Sequence, residues 1–351
     1  MAWLSHAGRV RRSVLTAMAV GLLLCGSLTA CANRSGAAGK DGYKIAMSSN
    51  SMTAAPVLAA LSRNTFSAHG ITVKPVAMNG SSSNSLAALL SGDTQFAFLG
   101  GTNAVDARAQ GSPVVIVGAT ATNLLTMSVS KKVADSLAER GVRPDSPIAD
   151  RVKALKGLTI ATSPPGSLSH TILLGMLKAF GVSQTAVKVV PSDPGAMTAG
   201  IKRGLYDAVF WPVGVMEPSY ADGTAKLFIS FPAGDVPQIP SFMQGVVITT
   251  ERVVKSNPDA VKKVRDALID AGNLIRQDEK TAKTAVKNYA FESVDQASFD
   301  QQWAIAKRAW LTDLKVPRTL YDSHMKVQAL VGDAHYDKVT YDGLVLPAAR
   351  S

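Results

Sequence analysis

The sequence predicts an α/β fold built as two similar lobes in tandem, each a mostly parallel sheet flanked by helices. From Tyr43 onward, short apolar runs alternate with helix-period patterns, as expected for parallel strands joined by crossover helices. A second series of the same kind starts at Gly157 and echoes the first. Beyond about residue 256 the pattern is helical only.

In the first series, Tyr43–Ser48, Thr72–Met78, Gln95–Leu99 and Val114–Ala119 read as strands. Ala54–Arg63, Asn84–Ser91 and Asn103–Ala109 between them read as helices that end near a glycine. In the second series, Leu158–Thr162, Val187–Val190 and Ala208–Trp211 read as strands, with helices at Leu168–Phe180 and Ala196–Arg203. Gly181 and Gly204 stand where a helix end needs a left-handed residue. The stretch Leu89 to Phe98 matches Ile201 to Phe210 in kind: a helix end, a glycine, a short turn and a buried strand. Two lobes explain that echo better than one long sheet.

The C-terminal part opens at Ser256-Asn257-Pro258-Asp259, a helix start with proline and an acid in the first turn. Val261, Val264, Leu268, Leu274 and Ile275 continue it as an apolar stripe. Ser298-Phe299-Asp300-Gln301 reads as a capping box. It would open a helix carrying Phe299, Trp303, Ala306 and Trp310 on one side, a stripe that reads as core packing.

The N-terminus has a different character. Arg9, Arg11 and Arg12 precede an apolar run from Val14 to Leu24, and small residues follow. This is the layout of a secretory signal peptide, and the run is short for a membrane-spanning helix. Leu28-Thr29-Ala30-Cys31 resembles the lipobox of bacterial lipoproteins. The resemblance implies cleavage before Cys31 and attachment of lipid to that residue. Residues 1–30 are therefore assigned to the signal and 31–42 to the lipidated cysteine with a small, polar, flexible tether.

Loss of the first 30 residues leaves 321 and lowers the net charge from +11 to +8, because three arginines and no acids depart. That length suffices for two cores. No arginine-rich or aromatic-interleaved run points to nucleic acid. Cys25 leaves with the signal, so the mature chain keeps only Cys31, which excludes an intrachain disulfide and a free thiol site. His69, His170, His324 and His335 lack metal-ligand spacing, and no metal or cofactor motif is present.

Several phrases together resemble the solute-binding proteins of bacterial ABC importers, in the branch for nitrate, taurine, aliphatic sulfonates and thiamine-pyrimidine precursors. They are Gly92 to Phe98, Ala107 to Val117, Leu155 to Ala161, Pro165 to His170 and Gly204 to Pro212, in that order. The resemblance runs from about Tyr43 to about Gln277. It implies a type II-like periplasmic-binding-protein fold: two lobes joined by two crossings, placed near Ala121–Met127 and Phe228–Val247. Residues 43–122 would start the first lobe and 123–230 form the second. Residues 231–351 would cross back and add helices to the first. It also implies an extracytoplasmic location, a small-molecule solute in the cleft, and permease subunits in the membrane as partners.

Ligands of open parallel sheets collect beyond the carboxyl ends of the strands. The candidate site is therefore Ser49, Asn50 and Ser51; Asn79, Gly80, Ser81 and Ser82; Gly101 and Thr102; Gly166, Ser167, Ser169 and His170; Asp193; and Trp211. Most lie in loops that run into a helix N-terminus. Free N–H groups there, with neutral hydroxyls and amides, hold oxyanions without a formal positive charge. The same residues are also preferred helix caps. His170 either donates to an anion or sits at the surface. Trp211 either stacks on a solute or plugs the hinge. Asp193 either pairs with a cation or shapes a turn.

The candidate loops contain no Lys or Arg, so a neutral heterocycle or ester stands beside a sulfonate-like anion as the solute. Two other functions share the fold. One is a lipid-anchored sensor or scaffold. The other is an enzyme, since the branch includes a yeast-type pyrimidine synthase that uses its own cysteines and histidines. With no mature cysteine beyond the anchor and no nucleophile–base pair, the sequence lacks the residues such an enzyme needs.

Overall fold

The computed structural model describes residues 42–79, 81–331 and 334–350. The signal segment, Cys31, residues 31–41 of the tether and Gly80 lie outside them. Among the described residues, ten strands form two five-stranded sheets. They are β1 (Tyr43–Met47), β2 (Val73–Ala77), β3 (Phe96–Leu99), β4 (Val114–Ala121), β5 (Leu125–Ser130), β6 (Thr159–Thr162), β7 (Lys188–Pro191), β8 (Ala208–Pro212), β9 (Ala225–Ser230) and β10 (Gly245–Thr250).

The first sheet runs β2-β1-β3-β10-β4 and the second β7-β6-β8-β5-β9. The two orders match position for position. In each, three strands are parallel, and the fourth (β10 or β5) is antiparallel to both neighbours. That fourth strand is the one that has just arrived from the other lobe. Only residues 122–124 separate β4 from β5, and 231–244 separate β9 from β10. The architecture is thus α/β, with two lobes in one compact unit.

β5, β9 and β10 correct the sequence reading, which gave part of each to the crossings and read none of them as a strand. For β5 and β10 the reason is burial on both faces. Every residue of β10 and all but the last of β5 are buried, so neither shows an apolar–polar alternation. A second correction concerns Ser298. The helix Gln296–Ala306 is capped by Asp295, whose carboxylate accepts from the Ser298 N–H at 2.8 Å. Ser298 lies inside the first turn, so the capping box is set three residues too late.

Each lobe has its own core. Helix caps behave as their chemistry requires: Gly181 and Gly204 follow helix ends with φ of +68° and +70°, a region that only glycine enters cheaply. The aromatic stripe packs in the first core, with Phe299, Trp303 and Trp310 buried. Trp303 and Trp310 meet edge to face with centroids 4.6 Å apart. The helix Arg318–Val331 does not serve the first lobe alone. Leu320 and Tyr321 enter the first core while Val327 enters the second, so this helix braces both.

Candidate functional site

Two adjoining cavities lie where the lobes face each other. The larger, of about 480 Å³, takes Ser48 to Thr53, Ser82 and Phe98 to Gly100 from the first lobe. Pro194 and Trp211 to Val215 come from the second, with Gln244 from a crossing and Phe291 from the C-terminal helices. The smaller, of about 360 Å³, is lined by Gly100 to Asn103 and Asp106, by Gly166 to Leu168, and by Met243, Gln244 and Val331. They share Gly100 and Gln244. Both volumes suit a small organic solute.

Four α-helices present their first residue to this cleft: Ser82 of Ser82–Ser91, Gly101 of Gly101–Ala109, Leu168 of Leu168–Ala179 and Pro194 of Pro194–Lys202. First-turn N–H groups have no partner within their helix, and the helix dipole adds positive potential there. Two helices come from each lobe. The chain places these termini at the carboxyl ends of β2, β3, β6 and β7, as open parallel sheets dictate.

The Ser48–Thr53 loop is held in shape by hydroxyls. Ser51 Oγ pairs with Ser49 Oγ at 3.1 Å and with Thr53 Oγ1 at 2.5 Å. Thr120 Oγ1 donates to the Thr53 carbonyl at 2.7 Å, and the Trp310 indole donates to the Met52 carbonyl at 2.7 Å. On the facing wall, Thr126 Oγ1 donates to the Trp211 carbonyl at 3.0 Å.

The crossings are stitched to each other beside the cleft. Gln244 Oε1 accepts the Leu124 N–H at 2.6 Å, and Asn123 Oδ1 accepts the Phe242 N–H at 2.8 Å. Gly101 is required here, because a Cβ would collide with the Met243 carbonyl. Met243 N–H donates to His324 Nδ1 at 3.2 Å, and burial pulls the His324 pKa down to about 4. On the second lobe, Glu217 lies behind the wall of the larger cavity. Its Oε2 accepts the Gly214 N–H at 3.0 Å, and burial pushes its pKa up to about 7.

Of the residues expected from sequence, Ser49, Asn50, Ser51, Ser82 and Trp211 line the larger cavity. Gly101, Thr102, Gly166 and Ser167 line the smaller. Asn79, Ser81, Ser169, His170 and Asp193 line neither. Ser81 and Asp193 spend their oxygens as caps, accepting from the N–H groups of Asn84 and Ala196 at 3.0 Å each. Asn79 is exposed at φ +50°, Ser169 is buried inside its helix, and His170 is half-buried. Ser167 both caps its helix, accepting from the His170 N–H at 3.4 Å, and lines the cavity.

Sequence reasoning missed Thr53, Gln244, Phe291 and Asp106. Thr53 was findable as the next hydroxyl in a serine-rich loop. Gln244 sat in a stretch assigned to a crossing, and nothing local marked Phe291 or Asp106. Among the described lining residues of both cavities, Asp106 is the only ionisable side chain.

The fold has known counterparts. The periplasmic aliphatic sulphonate binding protein SsuA of Escherichia coli is 15% identical, with a TM-score of 0.62 over 83% of this chain and 86% of that one. The periplasmic nitrate-binding protein NrtA of Synechocystis PCC 6803 is 14% identical, with a TM-score of 0.55 over 75% and 70%. A Candida albicans protein described as having the generic periplasmic binding protein fold is 16% identical, with a TM-score of 0.58 over 87% and 96%. At such identities the likeness establishes the fold: two lobes facing across a cleft. No curated protein sequence matches the chain. The family model described as NMT1/THI5 like matches residues 51–282, a span that holds nine of the ten strands, all but β1, and most of the cleft. On that match, the chain belongs to the NMT1/THI5-like family.

Proposed function

We propose that this protein is an extracytoplasmic solute-binding receptor of an ABC importer. It captures a small anionic or polar organic solute, of the sulfonate, taurine or nitrate kind, between its lobes and delivers it to a membrane permease. The observation that carries this reading is the convergence of four helix N-termini, two from each lobe, on cavities that both lobes line. Such an arrangement binds an oxyanion only when the lobes are together, so binding and closure are one event. The sulphonate- and nitrate-binding proteins of the same fold support the choice of solute. The lipobox-like Leu28 to Cys31 supports a lipid anchor at Cys31 that keeps the receptor near its permease.

Thermal-shift and calorimetric screening of the purified protein against sulfonates, nitrate, carboxylates and pyrimidines tests this reading. A cognate solute at about 100 times its Kd stabilises the fold by about 2.7 kcal/mol through mass action. If every class leaves the melting temperature unchanged, the receptor reading fails. The anchor is tested separately, by loss of radiolabelled fatty-acid incorporation in a Cys31→Ala variant.

A further inference from the structure

The smaller cavity has a lining residue that an oxyanion does not explain. Asp106 lies on the second turn of Gly101–Ala109, half-buried, and lines the cavity. Its Oδ1 accepts from Gln328 Nε2 at 2.7 Å and from the Tyr336 hydroxyl at 2.6 Å. Both donors therefore fall on one oxygen and fix the orientation of the other. Gln328 is itself fully buried, and its Oε1 has no hydrogen-bond partner. One buried acceptor beside Asp106 is thus left unpaired. No Lys, Arg or His is among the described residues lining either cavity, so no protein cation balances this carboxylate within the cleft.

The same cavity also carries the N-termini of Gly101–Ala109 and Leu168–Ala179, the first of them five residues before Asp106 on its own helix. The cavity wall thus combines helix N–H donors with one acidic residue. A solute that is anionic throughout would set its charge against Asp106. A zwitterion would satisfy both.

Resting on the receptor reading, we propose that the solute carries a cationic nitrogen, a primary ammonium or amidinium, and that Asp106 is the residue that selects it. Gln328 and Tyr336 are positioning residues that aim the carboxylate.

The test is calorimetry on the purified protein with matched pairs that differ only in the amine. Suitable pairs are 2-aminoethanesulfonate with ethanesulfonate, 3-aminopropanesulfonate with propanesulfonate, and 2-aminoethylphosphonate with ethylphosphonate. The amine-bearing member of a pair should bind at least tenfold more tightly. In Asp106→Asn, which keeps an acceptor for Gln328 and Tyr336, that preference should collapse to about one, with the affinity for the amine-free partner unchanged. Equal binding within each pair overturns the inference while leaving the receptor reading intact. So does a D106N variant that weakens both members alike, since Asp106 then only supports the fold. Binding by no member of any pair also overturns the inference, and the receptor reading then stands or falls on the wider screen of nitrate, carboxylates and pyrimidines.

Discussion

Trp310 donates its indole N–H to the carbonyl of Met52 at 2.7 Å, across 258 residues of chain. This bond ties the C-terminal aromatic ladder to the loop that floors the larger cavity. Trp310 also meets Trp303 edge to face, so the loop is anchored to the packed core of the first lobe. The C-terminal helices thus shape the cleft without supplying most of its wall.

That anchor separates two nearby tryptophans. Trp310→Phe leaves a buried carbonyl without its donor, which costs about 1–3 kcal/mol and frees the Ser51–Thr53 segment. Urea unfolding should show the loss, and calorimetry should show weaker solute binding by the folded fraction. Trp303→Phe removes a bond from the indole to Glu279 Oε1 at 2.9 Å instead, away from the cleft. It should lower stability while leaving affinity within about twofold.

Glu217 and His324 impose opposite pH dependences on stability. The Glu217 pKa is raised from 4.5 to about 7 in the fold, so its contribution is whole below pH 4.5 and lost as pH rises through 7. The His324 pKa is lowered from 6.5 to about 4, so its contribution is whole above pH 6.5 and lost as pH falls through 4. Each effect is on the order of 3 kcal/mol, and the two largely cancel between pH 4.5 and 6.5. Glu217→Gln should therefore expose a clear rise in stability from pH 4 to 6.5 that the parent protein masks. Urea midpoints measured from pH 4 to 8 check this. A flat profile for the variant would mean that the opposing contribution of His324 is absent.

Asp193 and Ser51 should divide stability from binding. Asp193 is an exposed cap, so Asp193→Ala should cost about 1 kcal/mol in unfolding and leave solute affinity unchanged. Ser51 lines the cavity and orders its neighbours through two hydroxyl contacts. Ser51→Ala should weaken binding severalfold with little change in the urea midpoint.

The crossings give a third kind of prediction. Asn123→Ala strips the Phe242 N–H of its acceptor and unties one crossing from the other. A stability loss of about 1–3 kcal/mol is expected. Solution scattering should show a less complete compaction on adding solute than in the parent protein.

These divisions were not legible in the sequence, for a physical reason. Ser81, Ser167 and Ser51 are all small polar residues before a helix start, and both a cap and an anion site call for that residue type. Only the direction of the side chain separates Ser81, which caps, from Ser51, which lines. The parallel strands β1, β2, β3, β6, β7 and β8 were legible because turns and glycines punctuate them. β5 and β10 were not, since strands buried on both faces carry no alternation. Asp106 was hidden most deeply. Its partners Gln328 and Tyr336 lie 222 and 230 residues away, and no local pattern joins them.

The central claim is that one solute is gripped by both lobes at once, and hydrogen exchange measured with and without the tightest-binding sulfonate tests it most directly. Amides of Met52, Gly101 and Thr102 in the first lobe should gain protection together with those of Ser167, Leu168, Trp211 and Val213 to Val215 in the second. Protection confined to one lobe, or appearing only outside these segments, would contradict the account.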